Sequence, residues 1–405
     1  MEKTAITLTI QLQTLDLLVW LLLGASVAGC VYLLHACNAV ERFSRRPLPR
    51  TATPLPVSVL KPLRGEDSAL LENLRSFCLQ DYPRLQIVFG VADLDDPAIP
   101  VVRALIAEFP ERDLTLVVDP RQNGANLKVA NLSNMLPSAR HDILVIADSD
   151  MRVAPDYLAA VAAPLLETPS SGQQTGLVTC LYRGVSKGGV WSDLAAMHIN
   201  HGFLPQAVAA ETLGLGAGCF GATMALKRAT LAAAGGFDAL ADTLADDYVL
   251  GQAVRRKGLA VELSPYLVDD IVDEHSLAGL FRHELRWART IRLVAPWGFL
   301  GSAVTNPVPL AILALAVGAL PRAALVVLAL ALASRVATAW RLDRALRVTH
   351  LSWWLLPVRD LLSFVVFIAS FLGRSVAWRG RQFRVGPSGQ LIADGQSPYM
   401  TGRPV

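Results

Sequence analysis

Apolar residues fall along this chain in three regimes. Residues 17–36 read LLVWLLLGASVAGCVYLLHA, without Asp, Glu, Lys or Arg, and a run of roughly 20 such residues is what an α-helix needs to cross a bilayer. From residue 54 to about 290, short apolar runs alternate with stretches of helical period. The last regime holds three more apolar segments, at 298–320, 323–340 and 351–373. This pattern predicts an N-terminal transmembrane anchor (1–40), a globular domain (54–290), a C-terminal membrane region (296–385) and a tail (386–405).

Within the globular part, residues 56–60, 85–91, 114–118 and 142–147 read as strands, and 68–80, 97–109 and 127–138 as amphipathic helices. Strands and helices alternating at this spacing predict a parallel α/β sheet, whose ligands bind beyond the carboxyl ends of the strands. Residues 221–228 read as a strand or loop running into a helix. A further amphipathic stretch, 249–258, is opened by Ala245-Asp246-Asp247-Tyr248.

The 142–147 run ends in Asp148-Ser149-Asp150. Hard cations such as Mg²⁺ and Mn²⁺ take oxygen ligands and also bind phosphates, so two carboxylates at a strand end can hold a metal-bound diphosphate. The bland alternative is a solvated turn. Asp93 also follows a strand and should face the same crevice. Acids at a helix start complement its dipole and can serve as N-caps, but Asp246 and Asp247 cannot both be the cap. No Gly-x-Gly-x-x-Gly follows the first strand and no Gly-x-x-x-x-Gly-Lys-Ser/Thr occurs, which disfavours a dinucleotide oxidoreductase or P-loop nucleotidase. His283-Glu284-Leu285-Arg286-Trp287 could be an interfacial anchor, yet arginine also grips phosphate in bidentate fashion.

Charge refines the topology. Arg42, Arg45, Arg46 and Arg50 follow the first apolar run, whereas Lys3 and the amino terminus precede it, so the positive-inside rule sends the globular domain into the cytosol. Pro321-Arg322 turns a hairpin between the first two C-terminal segments. Arg374, Arg379, Arg381 and Arg384 follow the third. The rule therefore favours a re-entrant or interfacial segment broken at Pro357, with Arg359 and Asp360 paired or near water; a crossing helix with a buried ion pair is the alternative. The five cysteines show no Cys-x-x-Cys spacing, which argues against a zinc site or disulfide framework. A net charge of +3 gives no reason to expect nucleic acid as a partner.

Taken in order, Lys61-Pro62-Leu63-Arg64-Gly65, Asp93 in VADLDDPAIP, Lys128 in ANLKVANL, Asp148-Ser149-Asp150, Ala245-Asp246-Asp247-Tyr248 and HELRW at 283–287 resemble the membrane glycosyltransferases of the ceramide glucosyltransferase family, over about residues 17–385. The resemblance implies a GT-A (Rossmann-like nucleotide-diphospho-sugar transferase) domain of α/β class, and an inverting, Mg²⁺- or Mn²⁺-dependent transfer from a UDP-sugar to a membrane lipid hydroxyl. By matching motifs, Asp93 would contact the uridine, with Lys61 and Lys128 also on the nucleotide-sugar side. Asp148 and Asp150 would hold the metal and diphosphate, and Asp247, beside Asp246, would be the general base. Arg286 and Trp287 match the terminal Arg-Trp signature, but His283 stands where the family pattern has Gln or Arg. VTCLYRG (178–184), LADDYVLG (244–251) and HELRWARTIR (283–292) look closest to a bacterial hopanoid-biosynthesis branch. That implies N-acetylglucosamine transfer to bacteriohopanetetrol at the bacterial inner membrane, with ceramide glucosylation as the alternative. A processive polysaccharide synthase would want more crossing helices and a Gln-x-x-Arg-Trp signature.

Overall fold

The computed structural model describes residues 2–65, 69–166, 172–216, 218–348 and 352–373, with three short strands between 375 and 393. Arg374 and Arg379 of the basic tail lie outside them. The chain forms two compact units.

The α/β unit comprises Arg46–Lys187, Gly216–Asp273 and Ser375–Val405. Its eight-stranded sheet is built from β1 (Val57–Pro62), β2 (Leu85–Val91), β3 (Asp113–Val118), β4 (Ile143–Ile146), β5 (Met151–Arg152), β6 (Thr175–Ser186), β7 (Met224–Lys227) and β8 (Ala260–Val272), in the order β3-β2-β1-β4-β7-β6-β8-β5. The apolar runs of β1, β2 and β4 are buried along their whole length, as befits strands covered by helices on both faces. Period-two alternation sorts their side chains. Val57, Val59 and Val145 join one core with Leu74, Phe77 and Val102 from the covering helices. Leu60, Leu144 and Ile146 join the other, with Leu132 and Leu250.

The sheet is mixed rather than parallel throughout. β3, β2, β1 and β4 run parallel, but β7 is antiparallel to both β4 and β6, and β5 to β8. β7 is preceded by residues 218–223, and its first residue, Met224, pairs with Ile146, the last of β4. The chain thus enters β7 at the carboxyl end of β4 and must run back along it. This reversal brings Gly221 to the Asp148 turn.

The helical unit comprises Met1–Arg45, Gly188–Leu215 and Glu274–Arg374. Among the described residues, three of its helices are long and apolar enough to cross a membrane: Gln13–Phe43, Pro321–Leu346 and Trp353–Ser370. Leu21, Val31, Val326, Leu330 and Val365 remain exposed on them, the signature of helices whose outer faces meet lipid rather than water. The 298–320 segment is bent by 68° between Pro296–Thr305 and Pro307–Val317. Pro307 begins a new helix there, since its ring cannot continue the preceding hydrogen-bond ladder. The bend rests on the N-terminal helix: a Cβ on Gly29 would come within 2.1 Å of the Val304 carbonyl, and Ser26 Oγ donates to the Pro307 carbonyl at 2.8 Å. Gly318, with φ +79°, ends the second arm and Pro321 opens the next helix, so the expected turn between the two segments is present.

Two expectations are corrected here. Pro357 does not break its segment, because it sits in the first turn of a continuous helix, Leu356–Ser370, where a missing N–H costs nothing. Arg359 and Asp360 do not pair with each other, because successive helical residues point about 100° apart. Arg359 instead forks onto Glu284 through two bonds of 2.6 Å, and Asp360 accepts from Arg335 at 2.7 Å.

Candidate functional site

Lys61 lies in the last turn of side chains on β1 and is fully buried. Its Nζ donates to the main-chain carbonyl of Asp148 and stands 3.9 Å from the centroid of the Phe77 ring. Burial lowers its pKa to about 7 against the opposing pull of Asp150 and Asp148. One strand away, Asp148 leaves the end of β4, and its Oδ1 meets Lys128 Nζ at 2.5 Å. Lys128 is aimed there by its helix, Leu127–Met135, whose N-cap Asn126 accepts from the amides of Lys128 and Val129 at 3.0 and 3.1 Å. The Asn126 side chain also donates to the Thr243 carbonyl at 2.8 Å and to Asp246 Oδ1 at 3.3 Å. One capping residue therefore ties the Lys128 helix to the acids 120 positions later. Burial alone would lower the Lys128 pKa, but Asp148, Asp246 and Asp247 together raise it.

Asp246 and Asp247 open the Asp246–Arg256 helix, and neither is its cap: that position is Ala245. Asp247 Oδ2 accepts the Gly221 amide at 2.9 Å and Oδ1 the Tyr248 amide at 2.7 Å. Burial and then the neighbouring Asp246 push the Asp247 pKa up to about 6. Asp246 is raised too, by burial first. Gly221 marks where these groups converge. A Cβ built on it would stand 3.2 Å from Lys128 Nζ and 3.4 Å from both Asp148 Oδ2 and Asp247 Oδ2, so only a glycine leaves this space open.

Asp150, Asp270 and Tyr182 complete the acidic side. The Asp150 carbonyl accepts the Ile271 amide at 3.2 Å, and Asp270 of β8 pairs with Met151 on β5 and Gly184 on β6. Burial, then Asp150 and Asp148, drive the Asp270 pKa well up. The Tyr182 hydroxyl is raised by burial and then by Asp270, Asp247, Asp150 and Asp148, so one group of acids reaches it. Sequence reasoning assigned nothing to Asp270, Tyr182 or Gly221. The signal for Asp270 was available in LVDDIV at 267–272, an acidic pair interrupting a β-branched run.

The donor set suits a hard divalent cation held partly by phosphate. Among the described residues no three His, Cys, Asp or Glu side chains form a metal-ligand group by themselves. Asp148 and Asp150 would supply one or two carboxylates, and substrate phosphates the rest, which is the usual arrangement for Mg²⁺ at phosphate sites. The raising of Asp270, by burial first and then by Asp150 and Asp148, fits carboxylates gathered together.

Asp93 stands at the end of β2, exposed, with Oδ1 accepting the Asp95 amide at 3.1 Å. Its neighbour Asp96 is turned inward, accepting the amides of Gly65 at 3.0 Å and Ala98 at 2.9 Å, and fixes the loop after β1. Arg286 and Trp287 belong to the helical unit, on the helix Leu277–Val294, capped by Ser276 Oγ at 3.1 Å from the Gly279 amide. His283, one turn before Trp287, places its ring 4.5 Å from the indole at 68° and holds Glu274 Oε1 at 3.0 Å through Nδ1.

Comparison with known proteins gives a match to the family described as glycosyl transferase family 21 over residues 21–391. Ceramide glucosyltransferase 1 of Caenorhabditis elegans is 24% identical over 272 residues, covering 65% of this chain and 57% of that relative. Ceramide glucosyltransferase 3 of the same organism is 23% identical over 391 residues, covering 92% and 82%. The chain thus spans less than two thirds of the first relative's length and most of the second's. Among solved structures, a mannosyltransferase from Pyrobaculum calidifontis, in complex with GDP-Man and Mn²⁺, superposes with a TM-score of 0.54 at 23% identity, over 88% of this chain and 98% of that one. That likeness carries the fold.

Proposed function

The chain belongs to glycosyl transferase family 21, and from that membership we propose that it transfers a hexose, with inversion, from a UDP-sugar to the hydroxyl of a membrane lipid of ceramide type. The relatives named above are ceramide glucosyltransferases and favour this acceptor over the hopanoid.

The observation that carries the reading is the Asp247 carboxylate, its pKa raised to about 6, beside the opening left by Gly221 and across it from Asp148. A base must be ionised at working pH yet basic enough to take a proton, and a carboxylate near 6 meets both demands. In the proposed mechanism Asp247 receives the proton of the acceptor hydroxyl as that oxygen attacks the anomeric carbon. Gly221 donates its amide to Asp247 and keeps the space in front of it clear. Lys128 neutralises Asp148 and lies where the leaving diphosphate would arrive, while Lys61 anchors the Asp148 turn through its carbonyl. Asp93, exposed beyond β2, is assigned to the uridine, and Arg286 with Trp287 to the diphosphate and acceptor side. Asp148 and Asp150 would hold a divalent cation, Mn²⁺ or Mg²⁺, whose chemistry is to neutralise charge on the departing UDP.

The experiment is direct. Purified protein in lipid nanodiscs is given radiolabelled UDP-glucose or UDP-N-acetylglucosamine with ceramide or a hopanoid polyol, and the lipid product is identified by mass. Glycosylated ceramide formed in Mn²⁺ and lost in excess chelator is the expected result, with Asp150→Ala losing Mn²⁺-dependent UDP-sugar binding. Full activity in chelator would overturn the metal assignment, and a glycosylated hopanoid alone would overturn the acceptor.

A further inference from the structure

His198 ends the helix Val190–His198 in the helical unit and is followed by a π-helical turn, Ile199–Phe203, before the helix resumes at Leu204. Single π turns strain a helix and recur where a side chain must be re-aimed for function. Here the turn separates two histidines of different fate. His201 is buried and its Nε2 meets Asp343 Oδ1 at 2.6 Å, a partnership that locks the following helix. His198 is only partly buried, and neither of its ring nitrogens makes a hydrogen bond among the described residues. Its closest aromatic neighbour is Trp287 of the Arg-Trp signature, at 6.3 Å between ring centroids and 31° between planes.

Trp287 therefore has two imidazoles near its ring: His198 from this helix and His283 from its own. The two differ in what they leave available. His283 uses Nδ1 on Glu274 at 3.0 Å, which fixes that ring and leaves Nε2. His198 leaves both nitrogens. Burial, together with Arg359 and His283, lowers the His198 pKa against the pull of Glu284, so the ring stays neutral at physiological pH and presents one donor and one acceptor. A neutral imidazole with both edges unused is suited to a group that both gives and takes a hydrogen bond. A lipid hydroxyl or amide is such a group, whereas a phosphate, which only accepts, is not. The indole beside the imidazoles supplies a flat apolar face for the adjoining methylenes. This setting lies in the unit that holds the candidate membrane spans, where a lipid dissolved in the bilayer would be met.

We propose that His198 is a binding residue for the polar headgroup of the acceptor lipid, hydrogen-bonding a hydroxyl or amide in a subsite walled by Trp287 and His283. The inference rests on the reading of the chain as a lipid glycosyltransferase and adds the residue that selects the acceptor's headgroup.

The test uses the full chain in nanodiscs, with ceramide as acceptor and UDP-glucose as donor, on wild type, His198→Phe and His198→Gln. Phenylalanine keeps the ring packing and removes the hydrogen bonds, and glutamine keeps a donor and an acceptor. The expected result is a KM for ceramide raised about tenfold or more in His198→Phe, the size of losing a hydrogen bond to a buried polar group, with UDP-glucose binding unchanged and substantial recovery in His198→Gln. A ceramide KM within twofold of wild type in His198→Phe would overturn the proposal and leave the imidazole as packing. An equal fall in donor binding, or loss of folding in both variants, would overturn it likewise by making His198 structural. If wild type itself glycosylates no lipid, the underlying reading fails, and that outcome is separable because it needs no variant.

Discussion

Compare how the two units treat buried charge. In the helical unit the two buried arginines, Arg335 and Arg359, each fork onto one buried carboxylate, Asp360 and Glu284, at 2.6 to 3.0 Å. Arg359 further donates to the Leu194 carbonyl and to Ser363 Oγ, both at 3.1 Å. Charge is matched one to one, and of the two guanidinium groups Arg335 alone keeps a buried nitrogen, Nη1, without a hydrogen-bond partner among the described residues. In the α/β unit Asp148, Asp150, Asp246, Asp247 and Asp270 gather around Lys61 and Lys128, and Asp246, Asp247 and Asp270 are all raised above the ordinary carboxylate range. Matched pairs give geometry and nothing more, since desolvation consumes most of their attraction. An unmatched excess of acid destabilises the resting protein, and it makes physical sense only where a proton or a cation is to be received.

The sharpest way to break this contrast is Asp247→Asn. Loss of a general base lowers kcat by about 10²- to 10⁴-fold, and UDP-sugar affinity should stay within a few-fold. In wild type, kcat should fall as pH drops through about 6, the value to which Asp247 is raised. The same carboxylate has an opposite effect on stability. Its folded pKa lies above its ordinary 3.8, so the folded state holds the proton more tightly, and that contribution is lost as pH climbs from 3.8 to about 6. Asp247→Asn should accordingly raise the unfolding midpoint at pH 7.5 and leave it unchanged near pH 4. A variant both inactive and less stable at pH 7.5 would mean that Asp247 is a structural acid like those of the helical unit.

Glu284→Gln should do the reverse. It strands the Arg359 guanidinium at 1% exposure, and breaking a buried pair costs about 3–5 kcal/mol. The double replacement Glu284→Leu with Arg359→Met should recover most of that loss, because apolar residues of similar volume need no partner. Thermal unfolding in detergent reads both. If the double variant is as unstable as the single one, the pair does more than satisfy itself.

Gly221→Ala is a smaller intrusion into the unmatched cluster. The methyl would stand 3.2 to 3.4 Å from Lys128, Asp148 and Asp247, and displacing such groups by a few tenths of an ångström should lower kcat/KM about tenfold without changing the melting curve. Activity equal to wild type would mean that the reacting atoms lie elsewhere.

Sequence reading reached the α/β site further than the helical unit, and the reason is the range of the interactions. Strands β2 and β4, the helix opened by Asp246-Asp247 and the Lys128 helix are written in local periodicity, and their acids stand in short motifs. Arg359 could not reveal its partner: Glu284 is 75 positions away, and the nearest opposite charge along the chain, Asp360, is on another side of the helix. The bend at Pro307 and the continuity at Pro357 were likewise undecided by composition. A proline opens a helix or breaks one according to what packs beside it, and Gly29 and Ser26 lie some 280 positions upstream of Pro307. His198 carries no motif at all, and its proximity to Trp287 is a product of folding alone.

The last prediction turns on which side of the membrane the tail lies, with the effect read as labelling rather than energy. The C-terminal end of the helix Pro321–Leu346 sits beside that of the first helix, where Arg341 Nε meets Glu41 Oε1 at 2.9 Å, so both end on the arginine-rich side. Near the other end, Val19 and Leu23 pack with Ala314 and Ala324, so in the expected topology the bent pair would cross outward and Pro321–Leu346 would return. The final helix, Leu356–Ser370, would then start inside. It runs in the same direction as Leu277–Val294 and is bound to it along its length: Arg359 to Glu284, and near the far end Arg292 Nη2 to the Gly373 carbonyl at 2.9 Å. Leu277–Val294 carries Arg282, Arg286, Arg289 and Arg292, which belong at a membrane surface and not across its centre. We therefore predict that the helix held alongside it lies at the interface despite its length and hydropathy, with the tail inside, as Arg381 and Arg384 favour. A cysteine placed at Ser388, outside the described residues, should be shielded from an impermeant thiol reagent in intact cells and labelled after lysis. Labelling in intact cells would make Leu356–Ser370 a crossing helix, and the Arg359–Glu284 pair would then be charge carried into the bilayer rather than a tie at its edge.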